Sequence, residues 1–430
     1  MSTGKKLVFI LVLTAFLGFL PWANASAEEG RYFVKSTKAF WKNALSVRNS
    51  FDNGFTADLS DFQVRFAKIW GLDIEPVKVL QILPASPARL DPAERASEPE
   101  NKLSVGESKE ELTPTPAVPA QNKPSAKGGK TARQMPSDQT PWGVETIYND
   151  PIIAKTSGGD NVKVAVLDTG VLVSHPDLKN RIAQCKDFTA ARFPVIDGKC
   201  EDKNGHGTHV AGIIAADAGS DSKGIYGVAP AAKLLIYKVC GANGLCYADD
   251  IAVALRLAAD QGANIANMSF GSDSESGLIR DAINYADAKG VLPVAAAGND
   301  GPFAASIDYP GAQAETVAVG ALNQNKDVTE WSSRGINTAT TPYIVEEKDI
   351  EFAAPGENIE STWNNGGYVI LSGTSMASPF VAGLAAKYWQ TAAENPARAT
   401  RSFLHDLTLD LLPIGDDNGS GFGLPRMLAQ

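Results

Sequence analysis

Residues 162–170 read VKVAVLDTG, a short apolar run that ends in a polar turn. Such a run predicts a strand that is buried on both faces. Further apolar runs follow along the chain, and patterns with helical spacing lie between them. The strand candidates are 162–167, 233–239, 264–270, 291–297 and 316–322; the helix candidates are 206–218, 248–261, 276–289 and 375–391. This alternation predicts an α/β fold, a parallel sheet with helices on both faces.

The composition excludes several classes of protein. The chain has 430 residues, 44% of them hydrophobic and 20% charged, which is too many for one ordinary core and too apolar for a mostly disordered chain. The net charge of −10 removes the counterion release on which nucleic-acid binding depends. We therefore expect at least two structural regions and no nucleic-acid partner.

The N-terminus has the layout of a secretory signal peptide. Lys5 and Lys6 precede the apolar stretch 7–20, which is followed by Pro21 and the small-residue sequence Ala23-Asn-Ala25. A membrane anchor is the alternative, but a span needs about 20 apolar residues. The prediction is a cleaved signal at 1–27, a secreted, extracellular protein and no stable membrane span in the mature form.

A linker separates a small module from the rest of the chain. Nine of the 25 prolines lie between Pro84 and Pro136, among polar and small residues that cannot bury enough apolar surface to fold. The module before this linker has a candidate strand at 31–35, two candidate helices near 40–48 and 60–69, and a final strand within 72–83. The predicted borders are 28–83 for this α+β module, 84–137 for the linker and 138–430 for the main domain.

Three segments near the ends of apolar runs carry reactive side chains, and such groups gather at the carboxyl edge of a parallel sheet. Asp168 ends the first strand, His206 and His209 lie in NGHGTHVAG at 204–212, and Ser375 lies in GTSMASP at 373–379. Each has an ordinary structural interpretation: a turn aspartate, a core histidine or a zinc pair, and a helix-capping serine. Pro379 is expected in the first helical turn, which places Ser375 at the N-terminus of a helix.

Taken together, these side chains meet the needs of a serine nucleophile. A serine hydroxyl needs a base to take its proton, and the imidazole needs a carboxylate to hold its tautomer. Asn299 follows another apolar run, in AAAGNDG at 295–301, and its amide can donate a hydrogen bond to a tetrahedral oxyanion.

The motifs DTGV at 168–171, HGTH at 206–209 and GTSMASP at 373–379, in this order, resemble the three signatures of subtilisin-like serine peptidases. The resemblance runs from about residue 141 to near the C-terminus. It implies a catalytic triad of Asp168, His206 and Ser375, with Asn299 as an oxyanion donor and an acyl-enzyme mechanism that needs no cofactor.

The resemblance also implies where substrate binds. The strand around Gly244 and Leu245 would pair with an extended peptide, and the primary specificity pocket would lie between two walls: Ser269, Phe270 and Gly271 on one side, Ala297 and Gly298 on the other. This pocket would be mainly apolar, so we expect a broad preference for large uncharged residues before the cleaved bond, and the sequence shows no acidic cluster at these positions that would favour basic residues. By the same resemblance, module 28–83 would be a prosegment that assists folding and inhibits the enzyme, and the mature form would be a monomer.

The four cysteines and one aspartate complete the expected site. Four cysteines allow three pairings, and the spacing favours the local pairs Cys185 with Cys200 and Cys240 with Cys246 over free thiols in an exported protein. The second bridge would stiffen the strand expected to hold substrate. Family members often bind structural calcium, and Asp177 in HPDL at 175–178 is the expected ligand.

Two other functions stay open at this point. A processing peptidase of narrow specificity, selecting basic residues, would share the same triad. A catalytically idle binding protein could keep the fold, although such proteins normally lose one of the four catalytic groups.

Overall fold

A computed structural model describes residues 30–83, 134–190, 194–338, 344–411 and 413–428. The predicted signal peptide and most of the predicted linker lie outside these residues. The chain divides into two compact units between Val77 and Lys78.

The first unit is a small α+β module. Its elements are β1 (Gly30–Val34), α1 (Ala39–Ala44), β2 (Asn49–Phe51), β3 (Gly54–Leu59), α2 (Asp61–Ile69) and β4 (Ile74–Pro76). The strands form an antiparallel sheet in the order β2-β3-β1-β4, and Val34, Phe55 and Leu59 are fully buried in its core. Ser60 begins α2 with a capping box to Gln63. The first strand and both helices confirm the sequence analysis, which missed the β2–β3 hairpin.

The second unit is larger. Its elements are β5 (Val79–Ile82), α3 (Trp142–Tyr148), β6 (Lys163–Asp168), β7 (Ile182–Asp187), β8 (Ile196–Asp197), α4 (His206–Ala215), β9 (Lys233–Lys238), β10 (Leu245–Tyr247), α5 (Ala248–Asp260), β11 (Ile265–Met268), β12 (Phe270–Gly271), α6 (Gly277–Ala288), β13 (Leu292–Ala296), β14 (Val317–Leu322), β15 (Phe352–Pro355), β16 (Ile359–Thr362), β17 (Tyr368–Leu371), α7 (Thr374–Lys387), α8 (Pro396–Asp406), β18 (Thr408–Leu409) and β19 (Leu424–Pro425).

An eight-stranded sheet organises this unit, in the order β15-β14-β13-β11-β6-β9-β7-β8. Every pair is parallel except β7 with β8. Helices α4 and α7 pack together against the sheet, as do α5 and α6. The predicted α/β fold is therefore confirmed, because apolar runs buried on both faces need helices to cover them.

Glycines allow α4 to approach the end of β6 closely. Gly205 has φ 114°, and a side chain there would strike the ring of Trp363. A Cβ on Gly207 would lie only 2.2 Å from the carbonyl oxygen of Gly170. The close approach places His206, the first residue of α4, beside Asp168, the last residue of β6.

Three segments differ from the sequence analysis. The single strand expected within 72–83 is two strands, β4 in the first unit and β5 in the second. The run 264–270 divides into β11 and β12, and α7 ends at Lys387 rather than near 391. In the part of the chain that the structure describes, no helix has the length and apolar character to cross a bilayer.

Candidate active site

Asp168 and His206 form a buried pair at the carboxyl edge of the sheet. The Nδ1 atom of His206 lies 2.9 Å and 3.0 Å from the two carboxylate oxygens of Asp168. Both residues are buried, and the other ring nitrogen, Nε2 of His206, has no hydrogen-bond partner among the described residues. The carboxylate therefore holds Nδ1 as the protonated nitrogen and leaves Nε2 as a base.

Polar contacts from neighbouring residues hold the Asp168–His206 pair in place. The N–H of Thr169 donates to Asp168 Oδ1 at 2.7 Å, and the Thr169 hydroxyl accepts from the N–H of Gly207 at 2.9 Å. The ammonium group of Lys238 donates to the carbonyl oxygens of Thr169 and Cys240. Burial lowers the pKa of Lys238, and nearby carboxylates, including Asp168, oppose that effect.

Ser375 is the second residue of α7, as predicted, but the reason differs from the expected one. Pro379 lies inside the helix rather than in its first turn. Because a proline has no N–H, the carbonyl of Ser375, four residues earlier, loses its helical partner. The hydroxyl of Ser269 donates to that carbonyl at 3.0 Å, and the Ser375 hydroxyl donates to the Ser269 carbonyl at 3.0 Å. Ser269 thus anchors the start of α7.

Asn299 lies close to the same helix terminus. Its side-chain oxygen accepts hydrogen bonds from the N–H and the hydroxyl of Thr374, both at 3.0 Å. This contact holds the acceptor end of the amide, so the opposite end is the NH₂ donor. Asn299 can therefore serve as the hydrogen-bond donor that the sequence predicts.

His209 belongs to the core rather than to a metal centre. Its Nε2 atom lies 3.0 Å from the carbonyl oxygen of Ile359 and 3.1 Å from that of Val369, and the side chain is fully buried. Burial lowers its pKa to about 3, so the ring is neutral. The structure does not bring His206 and His209 together as zinc ligands, because His206 Nδ1 faces Asp168.

A strand from residues before the linker lies between the two predicted substrate edges. β5 is the middle strand of a three-stranded antiparallel sheet, with β10 on one side and β12 on the other. Leu245 pairs with Gln81, and Gly271 pairs with the same residue from the opposite side. The N–H of Ile82 donates to the carbonyl of Gly244 at 2.9 Å. Phe270 pairs with Ile82 and is fully buried.

Three carboxylates that the sequence analysis did not name line a cavity together with Gly271, a predicted wall residue. Asp273, Asp300 and Asp308 each place a carboxylate oxygen within 4.8 Å of the others. Burial raises the pKa of Asp308 to about 7, and the charges of Asp300 and Asp273 contribute to that rise. Asp308 also donates its backbone N–H to the carbonyl of Ala297, a predicted wall residue. Loops distant in sequence bring these groups together, so no local pattern revealed them.

The cysteines form the two predicted disulfides, Cys185 with Cys200 and Cys240 with Cys246. The second bridge closes the turn that leads into β10, next to the carbonyl of Gly244 that β5 contacts. The bridge therefore constrains the start of β10, one of the two strands that flank β5.

Asp177, the predicted calcium ligand, accepts hydrogen bonds from two groups of the protein. Asp177 is fully buried, and its Oδ2 atom accepts from the N–H of Ile225 at 3.0 Å and the hydroxyl of Tyr368 at 2.7 Å. Asp217, which begins the nearby polar loop, pairs with Arg181 at 3.0 Å. Calcium, which takes six to eight oxygen ligands, stays a prediction at Asp177.

Sequence reasoning missed four contributors to the site. Thr374 was visible as a neighbour of Ser375, and Lys238 as a charge at the end of an apolar run. Asp308 gave no local signal. A strand was predicted within 72–83, but nothing local showed that β5 would pair with β10 and β12, because that role depends on contacts with distant segments.

Comparison with known proteins places this geometry in a family. Residues 159–423 match the model described as the subtilase family. A protein named subtilisin from Bacillus sp. (strain TA39) is 46% identical over 98% of this chain and 98% of its own length.

Two solved structures agree with this assignment. Sphericase has a TM-score of 0.65 and 49% identity, covering 68% of this chain and 99% of its own. The S41 psychrophilic protease has a TM-score of 0.65 and 47% identity, with the same coverage of both chains.

Proposed function

Since this chain belongs to the subtilase family and is a serine endopeptidase of proteins, we propose that Ser375 is its nucleophile, His206 its general base and acid, and Asp168 the group that orients His206. The observation that carries this assignment is the His206 ring. Asp168 holds Nδ1, while Nε2 is buried without a partner among the described residues. An unpaired buried nitrogen costs stability, and a catalytic role explains why the fold keeps one here.

The reaction follows from these positions. The Ser375 hydroxyl gives its proton to Nε2 of His206 while its oxygen attacks the carbonyl carbon of the peptide bond. The side-chain NH₂ of Asn299 and the backbone N–H of Ser375 donate to the oxyanion, near the positive end of the α7 dipole. His206 then protonates the leaving amine, and water hydrolyses the acyl-enzyme by the reverse proton path. No cofactor enters these steps.

One side chain has to move before attack. The Ser375 hydroxyl donates to the Ser269 carbonyl in this structure, not to His206. Rotation about the Cα–Cβ bond of Ser375 would redirect the hydroxyl to Nε2. Catalytic hydrogen bonds often form only when substrate is bound.

We further propose that residues before the linker act as an internal inhibitor. The position of β5 between β10 and β12 supports this, because an extended substrate would use the same backbone groups. The first unit, residues 30–77, fits the expected prosegment. Cleavage between 84 and 137, export through the predicted signal 1–27 and a monomeric extracellular enzyme complete the proposal.

Replacing the nucleophile tests the triad. We expect Ser375→Ala to abolish casein cleavage and self-processing, with kcat falling by about 10⁶-fold, the size of the effect that loss of the nucleophile has in subtilisin itself. Intact mass and N-terminal sequencing of the secreted protein would show whether the precursor matures. The matched control is Ser402→Ala, an exposed serine on α8.

The outcomes separate the alternatives. A Ser375→Ala protein that matures and cleaves casein normally would refute the assignment, as would an organophosphorus label on another residue. Failure of the wild-type protein to take the label would favour a binding protein with an idle site.

The residue preferred before the cleaved bond depends on the walls of the predicted pocket. The expectation of large uncharged residues rests on walls that are mainly apolar and carry no acidic cluster. Asp273, Asp300 and Asp308, which come from outside those wall segments, add negative charge nearby.

A further inference from the structure

The side chain of Asp308 lies against both glycines that line the expected specificity pocket. A Cβ placed on Gly271 would lie 2.7 Å from the Cβ and from Oδ2 of Asp308. A Cβ placed on Gly298 would lie 2.9 Å from the same Oδ2 atom. Because neither glycine has a side chain, the Asp308 carboxylate comes directly against both pocket walls.

The same carboxylate lines the cavity that the end of β5 enters. This cavity, of about 480 Å³, is lined by Leu83, Gly271, Asn299, Asp300 and Asp308. Leu83 directly follows β5, which runs through the groove like a bound substrate. Asn299 is the proposed oxyanion donor, so the carbonyl of the cleaved bond would lie next to it. A side chain located just before the cleaved bond would therefore meet Asp308.

Asp308 is a buried charge without compensation. It is 2% exposed, and no hydrogen bond or ion pair reaches its carboxylate within the part of the chain that the structure describes. The two exposed neighbours, Asp273 and Asp300, add negative charge rather than cancel it. A buried carboxylate normally has a cationic partner, so the missing cation would have to come from a ligand.

We propose that Asp308 makes this peptidase select lysine or arginine immediately before the cleaved bond, by pairing its carboxylate with the cationic side chain of the substrate. This inference rests on the proposed function and names its substrate class. A carboxylate in the primary pocket is also the device by which trypsin selects basic residues. The uncharged Leu83 lines the cavity without supplying the cation, as suits an inhibitory strand.

Peptide amides that differ only in the residue before the cleaved bond test the proposal on the mature enzyme. At about pH 9 we expect kcat/KM to be at least about 30-fold higher for arginine than for leucine, as for a buried charge pair. Asp308→Asn should bring this ratio close to one. The exposed residue Asp281, on α6, supplies the control Asp281→Asn, which should keep the wild-type ratio.

The pH dependence of the ratio adds a second readout. A pH effect common to both substrates cancels in the ratio, whereas Asp308, with its pKa of about 7, carries its charge mainly above that pH. The arginine-to-leucine ratio should rise as the pH increases through this value in the wild type. It should stay flat in Asp308→Asn.

Each result has a separate meaning. Normal leucine cleavage without an arginine preference, or an arginine preference that survives Asp308→Asn, overturns the inference and leaves the triad intact. Loss of all cleavage by the wild-type enzyme refutes the proposed function instead. If EDTA creates the arginine preference and added CaCl₂ removes it, the three carboxylates bind a metal ion and the inference fails.

A binding measurement protects the test against a variant that fails to fold. A peptide of residues 78–83 and its L83R form would compete with substrate in the mature wild-type enzyme. We expect the arginine peptide to inhibit at least about tenfold more strongly at about pH 9 and to lose that advantage at about pH 5.5. Equal inhibition at both pH values would refute the proposal.

Discussion

Glu351 and Asp308 are both buried carboxylates of the second unit, but their surroundings are opposite. Glu351 is fully buried next to β15, and its oxygens lie 2.6 Å from Nη2 of Arg401 and 2.8 Å from Nε2 of His405. Asp308 has two acidic neighbours and no cationic partner among the described residues. The fold itself supplies Glu351 with cationic partners. For Asp308, a cationic partner would have to come from a bound ligand.

The pKa values of the two groups follow this difference. Burial alone would raise the pKa of Glu351, but the charge of Arg401 and hydrogen bonds from His405 and Arg401 lower it to about 2. Burial raises the pKa of Asp308 to about 7, and no partner opposes it. Burial favours the neutral form of both groups, and only for Glu351 do cationic partners reverse that effect and stabilise the charged form.

Removing the partner of Glu351 should have the largest effect. Arg401→Met leaves a buried carboxylate with less compensation, which should lower the free energy of unfolding by about 3–5 kcal/mol. Urea unfolding in a Ser375→Ala background avoids self-digestion. Arg398→Met, at an exposed position of the same helix, is the control, and the double variant Glu351→Leu/Arg401→Met should recover most of the loss. A loss under about 1 kcal/mol would show that Glu351 is satisfied by other means.

Acid should remove the Glu351 contribution with a defined sign. The pKa of Glu351 is about 2 in the folded state, below its ordinary value of 4.5. Its stabilisation is thus complete above about pH 4.5 and is lost as the pH falls through about 2, roughly 3 kcal/mol in all. Unfolding free energies of Ser375→Ala measured across this range should show the loss. The Glu351→Leu/Arg401→Met variant should lack this component, and an equal loss in both proteins would assign it elsewhere.

Ionisation of Asp308 should have the opposite and smaller effect: it should lower the free energy of unfolding as the pH rises. Its folded pKa of about 7 exceeds the ordinary value of 3.8, so its ionisation destabilises the fold increasingly from about pH 4 to about pH 7. Asp308→Asn should therefore raise the free energy of unfolding by about 2 kcal/mol at alkaline pH, allowing for solvent screening of Asp273 and Asp300. The gain should vanish below about pH 4. A variant less stable than its parent at alkaline pH would mean that the fold itself satisfies Asp308.

The sequence analysis succeeded where local pattern and chemistry coincide. The runs ending near Asp168 and Asn299 were recognisable because a buried strand and a polar turn leave a short signature. The position of Ser375 was right although the role given to Pro379 was wrong, since the hydroxyl of Ser269 replaces the missing helical bond. The pairing of β5 with β10 and β12 was missed, because the apolar pattern that predicted a strand within 72–83 does not say which sheet the strand joins.

From the sequence alone came the family, the order of Asp168, His206 and Ser375, and the cysteine pairs, since each is written in a few neighbouring residues or in a short spacing. Only the tertiary structure placed Asp308 against Gly271 and Gly298, without a cationic partner among the described residues. The physical reason is that the cost of a buried charge depends on every group that surrounds it. Those groups come from segments that no local pattern connects.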